Sequence, residues 1–586
     1  MLDTSPSKLN ELIDEAVKVR DEKLVREQER IDRRLGAGYV RTSHNGDQAL
    51  NFQHEWLSLM LPRLAVRSPR FKVSSARTGA QQETADMVRL FLNRWVKTVR
   101  LDRFLLSVAI DYSQSWGAVM VTPEVPHWGH ARRIAEDWIP RVTRIAPSRL
   151  IIDPHCEGID TARFVGHLWV ADPETMIEDA KAAKKNGDKS WDLEALNALK
   201  GKDTDMHRLG PRFKRSVSRD EAVGYDIWVP ELVTDGMTPD DGFHGSLLTV
   251  ICDDGGLTPI REPRPYWGPA CGPYTHFGCY PGTDDPWPLS PLAAVEQREL
   301  GLDLQLRAAN KAASEYKRVV LAAKGSKIPH GFDGQIIWMD SMYPDMPPQV
   351  VELGGVTDQQ LRNIAVMDQQ LQRTSGMDAA QAGDAREDAT ATAVAVADTA
   401  TQTRSGFVIE QFMAGIERVC RNAAWYAVKD DRVRLALGSE AAEALGVQDA
   451  VFLGGDVAGE DSPFEALELE IDPMSVVRNT EALHQRRTLE FFRIVAESAP
   501  MIATAPMVDW AKMYGRIGDA LGIPDADEFV DVAMAMQMAQ GGQQGAPPGG
   551  SGGPAGGISA PQQQTGGGGL PGNRSGAAVG AANRAR

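Results

Sequence analysis

The spacing of apolar residues predicts that the chain begins with helices. Apolar side chains recur at roughly helical intervals in residues 7–35, 51–64 and 84–113. The first segment is dense in charge, so we expect a surface helix or a docking helix with a solvated face. The third segment is long enough for one or two helices.

From residue 118 onward the apolar period becomes that of strands. Short apolar or alternating runs occur in residues 118–121, 141–145, 150–153, 164–170, 225–229 and 247–252. Asp172 and Pro173 predict the start of a helix, with the proline in its first turn. Residues 181–219 are highly charged and predict a loop-rich segment. The chain up to about residue 285 therefore predicts a mixed α+β body.

A long helix is predicted for residues 292–316. Pro291 suits its first turn and Ser290 suits its N-cap. Its leucines are spread around more than one face: Leu300, Leu302, Leu304 and Leu306. We expect such a helix to pack on several neighbours, including copies of itself.

The pattern after this helix predicts strands and then two more helices. Strands are predicted in residues 318–323, 334–339 and 347–353, with a turn at 324–327. Residues 357–374 predict a helix that ends at Gly376, and residues 378–388 are charged. A long helix of small residues is predicted for residues 389–425, and further helices for 473–540. Residues 541–586 are mostly Gly, Pro, Gln, Ser and Ala, a composition that predicts a flexible tail.

Composition describes an acidic protein of ordinary globular character. The formal net charge is −17, whereas proteins that bind DNA tightly are normally basic. The five cysteines are scattered, which favours free thiols over a disulfide framework. We expect no membrane span, because no run of 18 apolar residues exists, and no signal peptide at Met1.

Motifs for catalysis, cofactors and metals give no strong candidate. The sequence has no phosphate-binding G-x-x-x-x-G-K-[ST] loop and no H-E-x-x-H motif. The G-x-S-x-G match around Ser551 lies in the predicted tail, away from any strand–helix turn. Cys271, His276 and Cys279 supply three possible zinc ligands, but a structural site needs four, and loop packing is the favoured interpretation. The adjacent Asp284 and Asp285 leave open a carboxylate-dependent hydrolase, which we disfavour. We therefore predict no catalytic residues, no cofactor and no metal.

The order of elements in residues 288–429 resembles the middle portion of tailed-bacteriophage portal proteins. That portion runs from a stem helix through a small β-containing clip, a returning stem helix and a tunnel loop to a long wing helix. Residues 142–154 resemble the family's wing, and residues 268–292 resemble the approach to its first stem helix. Residues 388–392 resemble the small-residue start of the helix after the tunnel loop. The resemblance covers residues from about 40 to 540.

This resemblance implies a predominantly helical α+β subunit with wing, stem, clip and crown regions and a disordered Gly/Gln-rich C-terminal tail. The implied boundaries are a mixed α+β wing region in 1–288, a first stem helix in 289–317, a clip in 318–356, a second stem helix in 357–375, a tunnel loop in 376–388, a wing helix with strands in 389–475, a helical crown in 476–540 and the tail in 541–586.

The implied function is structural rather than enzymatic. Portal proteins form a ring, of twelve subunits in assembled particles, at one capsid vertex, through which double-stranded viral DNA is packaged and ejected. The implied partners are further copies of the chain, the terminase large subunit, the head–tail adaptor, and the major capsid and scaffold proteins. The implied location is the virion, after assembly in the host cytoplasm, with no membrane.

Two groups of residues are candidates for contacts within such a ring. The tunnel loop would present charged residues to DNA: Asp378, Asp384, Arg386, Glu387 and Asp388. The clip would present Lys324, Lys327 and His330 to protein partners, although these residues equally suit simple turns. The alternative to a portal is another capsid-associated scaffold or adaptor without a channel.

Overall fold

The computed structural model describes part of the chain. The described residues are 6–34, 51–64, 69–75, 80–123, 139–185, 187, 189–198, 221–232, 242–253, 256–282, 284–324, 335–340, 349–375, 391–438, 450–455, 464, 467–471, 493–494, 513 and 517. About 50% of them are helical and about 27% lie in strands, so the predicted mixed class of helices and strands is confirmed. The chain divides into two units, Met1–His484 and Gln485–Arg586, and the elements below belong to the first.

The helices lie close to where the apolar spacing predicts them. They are α1 (Pro6–Arg34), α2 (Phe52–Leu64), α3 (Ala80–Thr98), α4 (Leu101–Gln114), α5 (Pro173–Lys185), α6 (Leu193–Asn197), α7 (Ala293–Ser314), α8 (Asp358–Ser375) and α9 (Ala391–Lys429). The segment predicted as one or two helices forms two, α3 and α4. The helices and tail predicted after residue 473 fall outside the described residues, apart from isolated positions.

The strands are β1 (Phe71–Ser75), β2 (Gly117–Thr122), β3 (Arg141–Ile145), β4 (Leu150–Ile152), β5 (Val165–Ala171), β6 (Ala222–Val229), β7 (Phe243–Asp253), β8 (Gly256–Pro259), β9 (Arg264–Trp267), β10 (Tyr274–Phe277), β11 (Lys317–Ala323), β12 (Gln335–Met339), β13 (Gln349–Leu353), β14 (Arg434–Ala436), β15 (Val451–Leu453) and β16 (Leu467–Ile471). Strands β4 to β8 form an antiparallel sheet in chain order, and β9 also pairs with β7. Smaller sheets join β10, β2 and β3, then β12, β11 and β13, and the pairs β1–β16 and β14–β15.

The largest hydrophobic core surrounds the second half of α9. Phe412 lies at its centre, with its ring centroid 5.2 Å from that of Tyr112 on α4 and 5.3 Å from that of Phe277 on β10. The hydroxyl of Tyr112 donates a hydrogen bond of 2.8 Å to the carbonyl oxygen of Val408. Buried residues of α2, α3 and α4, and of several strands, also belong to this core, so α9 lies at the centre of the helical layer.

Helix α1 docks on the antiparallel sheet, in agreement with the prediction of a surface or docking helix. Its buried apolar residues are Leu9, Ile13, Ala16, Val17 and Leu24. The charged face makes its own contacts, because Glu15 lies 3.2 Å from Nε2 of His155 and Lys23 pairs with Asp285. The helix therefore joins the sheet to the start of the α7 segment.

One local prediction needs correction and another gains detail. Ser290 is not the N-cap of α7, which begins three residues later; its hydroxyl accepts from the backbone N–H of Leu292 at 3.0 Å and donates to the carbonyl of Ser113 at 2.7 Å. Residues 181–219, predicted to be loop-rich, contain the end of α5 and one short helix. Asp192 accepts from two backbone N–H groups and so caps the short helix α6, while residues 199–220 lie outside the described part.

Candidate assembly surface

Helices α7 and α8 form an antiparallel hairpin. Nη1 of Arg298 lies 3.4 Å from the carbonyl oxygen of Gln370, and a β-carbon built on Gly301 would lie 2.8 Å from Cε of Met367. As residue numbers increase along α7, the residues that they contact on α8 decrease in number, as expected for antiparallel helices. At about 1.5 Å per residue, the 22 residues of α7 span roughly 33 Å.

The base of α7 is anchored in the body by buried charges. Glu299 is fully buried and accepts from Nε2 of Gln53 at 3.0 Å. Glu296 lies 3.3 Å from Nη2 of Arg30, whose Nη1 donates to the carbonyl of Gln114 at 2.5 Å. Buried charges are costly unless paired, so these contacts fix where α7 leaves the body.

The far end of the hairpin is closed by backbone geometry. Gly354 and Gly355 have φ values of 79° and 95°, which glycine adopts without steric cost, and the N–H of Gly355 donates to the carbonyl of Ala312 on α7. Thr357 and Gln360 then form a reciprocal capping box: each backbone N–H donates to the other's side chain, at 3.0 and 3.3 Å. The position at which α8 begins is therefore fixed by neighbouring residues of the chain.

A three-stranded sheet lies between the two helices in the chain. Its central strand β11 runs parallel to β12 and antiparallel to β13. The turn predicted after β11 does not join it to an antiparallel neighbour, because the next strand, β12, is parallel to β11. The connecting residues 325–334 lie outside the described part. Parallel pairing normally occurs where both faces of a sheet are covered.

The hairpin and this sheet expose large apolar side chains. On the helices, Leu304 is 63% exposed, Leu361 54% and Val366 52%. On the sheet, Trp338 is 49% and Val350 46% exposed. We call the exposed apolar residues of α7, α8, β12 and β13 the assembly surface: Leu300, Leu304, Leu361, Val366, Ile336, Ile337, Trp338 and Val350.

Helix α8 shows how incomplete its packing is. Among its 18 residues only Leu371 is buried. Helices in proteins owe most of their stability to packing one apolar face, and monomeric proteins rarely leave contiguous apolar patches uncovered. The hairpin therefore has the character of an element that packs against another protein surface. The sequence hinted at this through the scattered leucines of α7, but the exposure of Ile336 and Trp338 was not predicted.

The residues predicted to contact partners are mostly outside the described part. Lys324 is described: its side chain is 78% exposed, and Nζ lies 3.5 Å from Asp340 Oδ1 at the matching end of β12. Lys327 and His330 of the predicted clip are not among the described residues. Nor are the tunnel-loop candidates Asp378, Asp384, Arg386, Glu387 and Asp388. Their predicted roles stay predictions.

The candidates for chemistry make structural contacts. All five cysteines are free, as predicted, and Cys271 lies 3.3 Å from Oδ1 of Asn422, whereas Cys279 is buried. Across the described residues, no three His, Cys, Asp or Glu side chains are placed to hold a metal ion. Asp285 accepts from the backbone N–H of Trp287 at 2.8 Å and pairs with Lys23, contacts that hold a loop.

No protein-family model and no curated protein matches the chain. What the assembly surface can do therefore follows from its own residues. Among the described helices, none has the length and apolar character needed to cross a bilayer. Exposed leucine, isoleucine, valine and tryptophan side chains on a hairpin with a buried, charged base are suited to binding protein.

Proposed function

We propose that this chain is the subunit of a ring-shaped portal of a tailed bacteriophage, a channel at one capsid vertex for packaging and ejecting double-stranded DNA. The observation that carries the proposal is the assembly surface. It occurs on the helix–sheet–helix segment, followed by the long helix α9, whose order resembles that family. Copies of the chain would cover it, because a closed ring gives every subunit two neighbours.

The acidity of the chain favours a channel through which DNA moves over a site that binds DNA tightly. Twelve copies would carry a formal charge of about −204 (12 × −17). Tight DNA binding relies on basic groups that neutralise phosphates, and each such contact resists movement. An acidic ring would let DNA slide, while the energy for packaging would come from a partner, the terminase large subunit. The head–tail adaptor would replace that partner after packaging, and major capsid and scaffold proteins would surround the ring.

Native mass spectrometry and negative-stain imaging of the purified full-length chain test the ring. We expect closed rings of about a dozen subunits with a central channel. The double variant Leu304→Glu/Leu361→Glu should remain monomeric, because it places charge in the assembly surface. Val25→Glu, at an equally exposed apolar residue of α1, is the matched control and should still form rings. A wild-type chain that stays monomeric at high concentration would refute the proposal.

The favoured alternative, a capsid scaffold or adaptor without a channel, predicts a different result in a packaging assay. Replacing Asp384, Glu387 and Asp388 together by Ala should alter DNA packaging or retention if these residues face DNA. Normal packaging by this triple variant would show that the tunnel-loop assignment is wrong. Assemblies that have no central opening would favour the scaffold or adaptor.

A further inference from the structure

Strand β12 has the composition of a strand that is paired on both edges. Ile336, Ile337 and Trp338 are consecutive, and their side chains are 37%, 43% and 49% exposed. Because successive side chains of a strand point to opposite faces, both faces of β12 are apolar. Its five residues, Gln335–Met339, contain no charge and no proline. Natural proteins normally protect open edges with charge, proline or a bulge.

The opposite edge of the sheet is formed by β13, which is equally long. Its central residues are Val350, which is exposed, and Val351, which is half-buried. Within the described part of the chain, β12 and β13 pair only with β11, so each has one further edge. Among the described strands, each copy therefore has two different edges of matching length that pair with no other strand.

The directions of these edges fit a head-to-tail ring. Since β11 is parallel to β12 and antiparallel to β13, strands β12 and β13 run in opposite directions. Neighbours in a twelve-membered ring are related by a rotation of about 30°, which nearly preserves strand direction. Strand β13 of one copy would thus meet β12 of the next in antiparallel orientation.

The alternation of side chains restricts the register of such pairing. Val320 lies between Ile336 and Val350, so these residues and Trp338 share one face; Val319 lies beside Val351, which places Val351 and Ile337 on the other. If each face of one sheet continues as the same face of the next sheet, the possible registers differ from one another by two residues. Full overlap of the two five-residue strands places Trp338 opposite Val350 of the neighbouring copy.

We infer that β12 of each subunit pairs in antiparallel fashion with β13 of the next, which joins the small sheets into one continuous sheet around the ring. This inference rests on the proposed ring. In the ring, the sheets of neighbouring subunits would contact each other through their backbone edges. The interface would be heterologous, because each subunit contributes two different edges. The backbone edges of β12 and β13 would then be hydrogen-bonded, and their apolar side chains would be flanked by those of the neighbouring copy.

Cysteine cross-linking of assembled rings tests the pairing. The variant Trp338→Cys/Val350→Cys is made in a Cys271→Ser background, because Cys271 is the exposed native thiol. Within one chain β11 lies between these positions, so their Cα atoms are at least two strand spacings, about 9.6 Å, apart, whereas a disulfide requires Cα atoms about 4.4–6.8 Å apart. Any disulfide between them must therefore join two copies.

Mild oxidation should produce a ladder of covalent multimers on non-reducing gels. The control Trp338→Cys/Val351→Cys places the thiols on opposite faces and should give at least tenfold less cross-linked product. Two further pairs, Ile336→Cys/Val350→Cys and Trp338→Cys/Glu352→Cys, detect slips of two residues. Rings that form but give no ladder with any in-face pair would overturn the strand pairing and leave the proposed function intact.

Hydrogen exchange of the wild-type ring provides a second readout that does not depend on the variants assembling. All the amides of Ile336 to Met339 should be protected, since both edges of β12 would be hydrogen-bonded. If alternate amides exchange within seconds in intact rings, the inference is wrong. Failure of the wild-type chain to form rings contradicts the proposed function itself. A ladder of cross-linked species without closed rings would support the pairing and contradict the ring.

Discussion

Arg144 on β3 binds Asp111 on α4 through two parallel hydrogen bonds, Nε to Oδ2 at 2.6 Å and Nη2 to Oδ1 at 2.7 Å. The carboxylate is buried, whereas about a third of the arginine side chain is exposed. This pair connects the helical layer to the sheet of β10, β2 and β3. Forked pairs of this kind are directional as well as strong.

Arg144→Met should therefore destabilise the protein. Loss of one partner of a buried charge costs about 3–5 kcal/mol, but the exposure of Arg144 screens the pair, so we expect about 2 kcal/mol. Urea denaturation measures the change. The control is Arg141→Met on the same strand, which should change the free energy of unfolding by less than about 0.5 kcal/mol. Equal losses in the two variants would show that the fork has no special role.

Gly415 and Gly406 on α9 should respond oppositely to alanine. A β-carbon on Gly415 would lie 2.4 Å from Cδ1 of the buried Phe277 ring, whereas one on Gly406 would meet nothing within 4 Å. We expect Gly415→Ala to destabilise the protein by about 1–3 kcal/mol through overpacking. Gly406→Ala should stabilise it by up to about 1 kcal/mol, because alanine is the better helix former. Thermal unfolding of both variants checks the prediction, which a stabilising Gly415→Ala would contradict.

Stability should fall in mild acid because of His276. Removal of the imidazole from water, and next the positive charge of Arg418, lower the pKa of His276 to about 4 from an ordinary 6.5. The unfolded chain then binds a proton between pH 6.5 and 4 that the folded chain does not. This contribution to stability is complete above pH 6.5 and is lost as the pH falls toward 4.

The measurement is the urea midpoint at pH 7.5 and at pH 5. His276→Gln should lose less stability between these values than the wild type, whereas the control His54→Gln, at an exposed histidine of α2, should lose as much. Part of the drop should persist in His276→Gln, because burial also lowers the pKa of His167, which lies 2.9 Å from the Tyr274 hydroxyl. Identical pH profiles for wild type and His276→Gln would exclude this role.

Thr357, which forms the capping box of α8, should stabilise this helix more than Thr374 near its C-terminus. Thr357→Val removes the acceptor for the N–H of Gln360 and should weaken the first turn by about 1 kcal/mol. Thr374→Val is the control, because its hydroxyl bonds only to the carbonyl of Gln370 one turn earlier. Hydrogen exchange of the first turn of α8 should accelerate in Thr357→Val alone. Similar exchange in both variants would argue against the box.

Several elements could be predicted because their signals are local. Helix α1 and the segment that forms α3 and α4 were predicted from apolar residues at helical spacing, and β5, β6 and β11 from short apolar segments between polar ones. Helix α6 was missed although its signal, Asp192 as N-cap, is also local. Its five residues are too few to show a period.

Strand β1 was missed for a different reason. Its residues Phe71–Ser75 pair with β16, almost 400 positions later in the chain, where Leu467, Leu469 and Ile471 are buried and the intervening glutamates are exposed. A five-residue strand gains its hydrogen bonds only from its partner. No local pattern near residue 71 identifies that partner.

The sequence by itself determined the class of the chain, the positions of most helices and strands, and the order of elements on which the portal proposal depends. Those features follow from local spacing and from the chemistry of caps and turns. The tertiary structure alone decided which apolar residues are covered. Leu302 and Leu304 look alike in the sequence, yet Leu302 is buried and Leu304 is exposed on the assembly surface. Burial depends on what other parts of the chain bring to each face, so only the folded arrangement shows which apolar residues stay exposed.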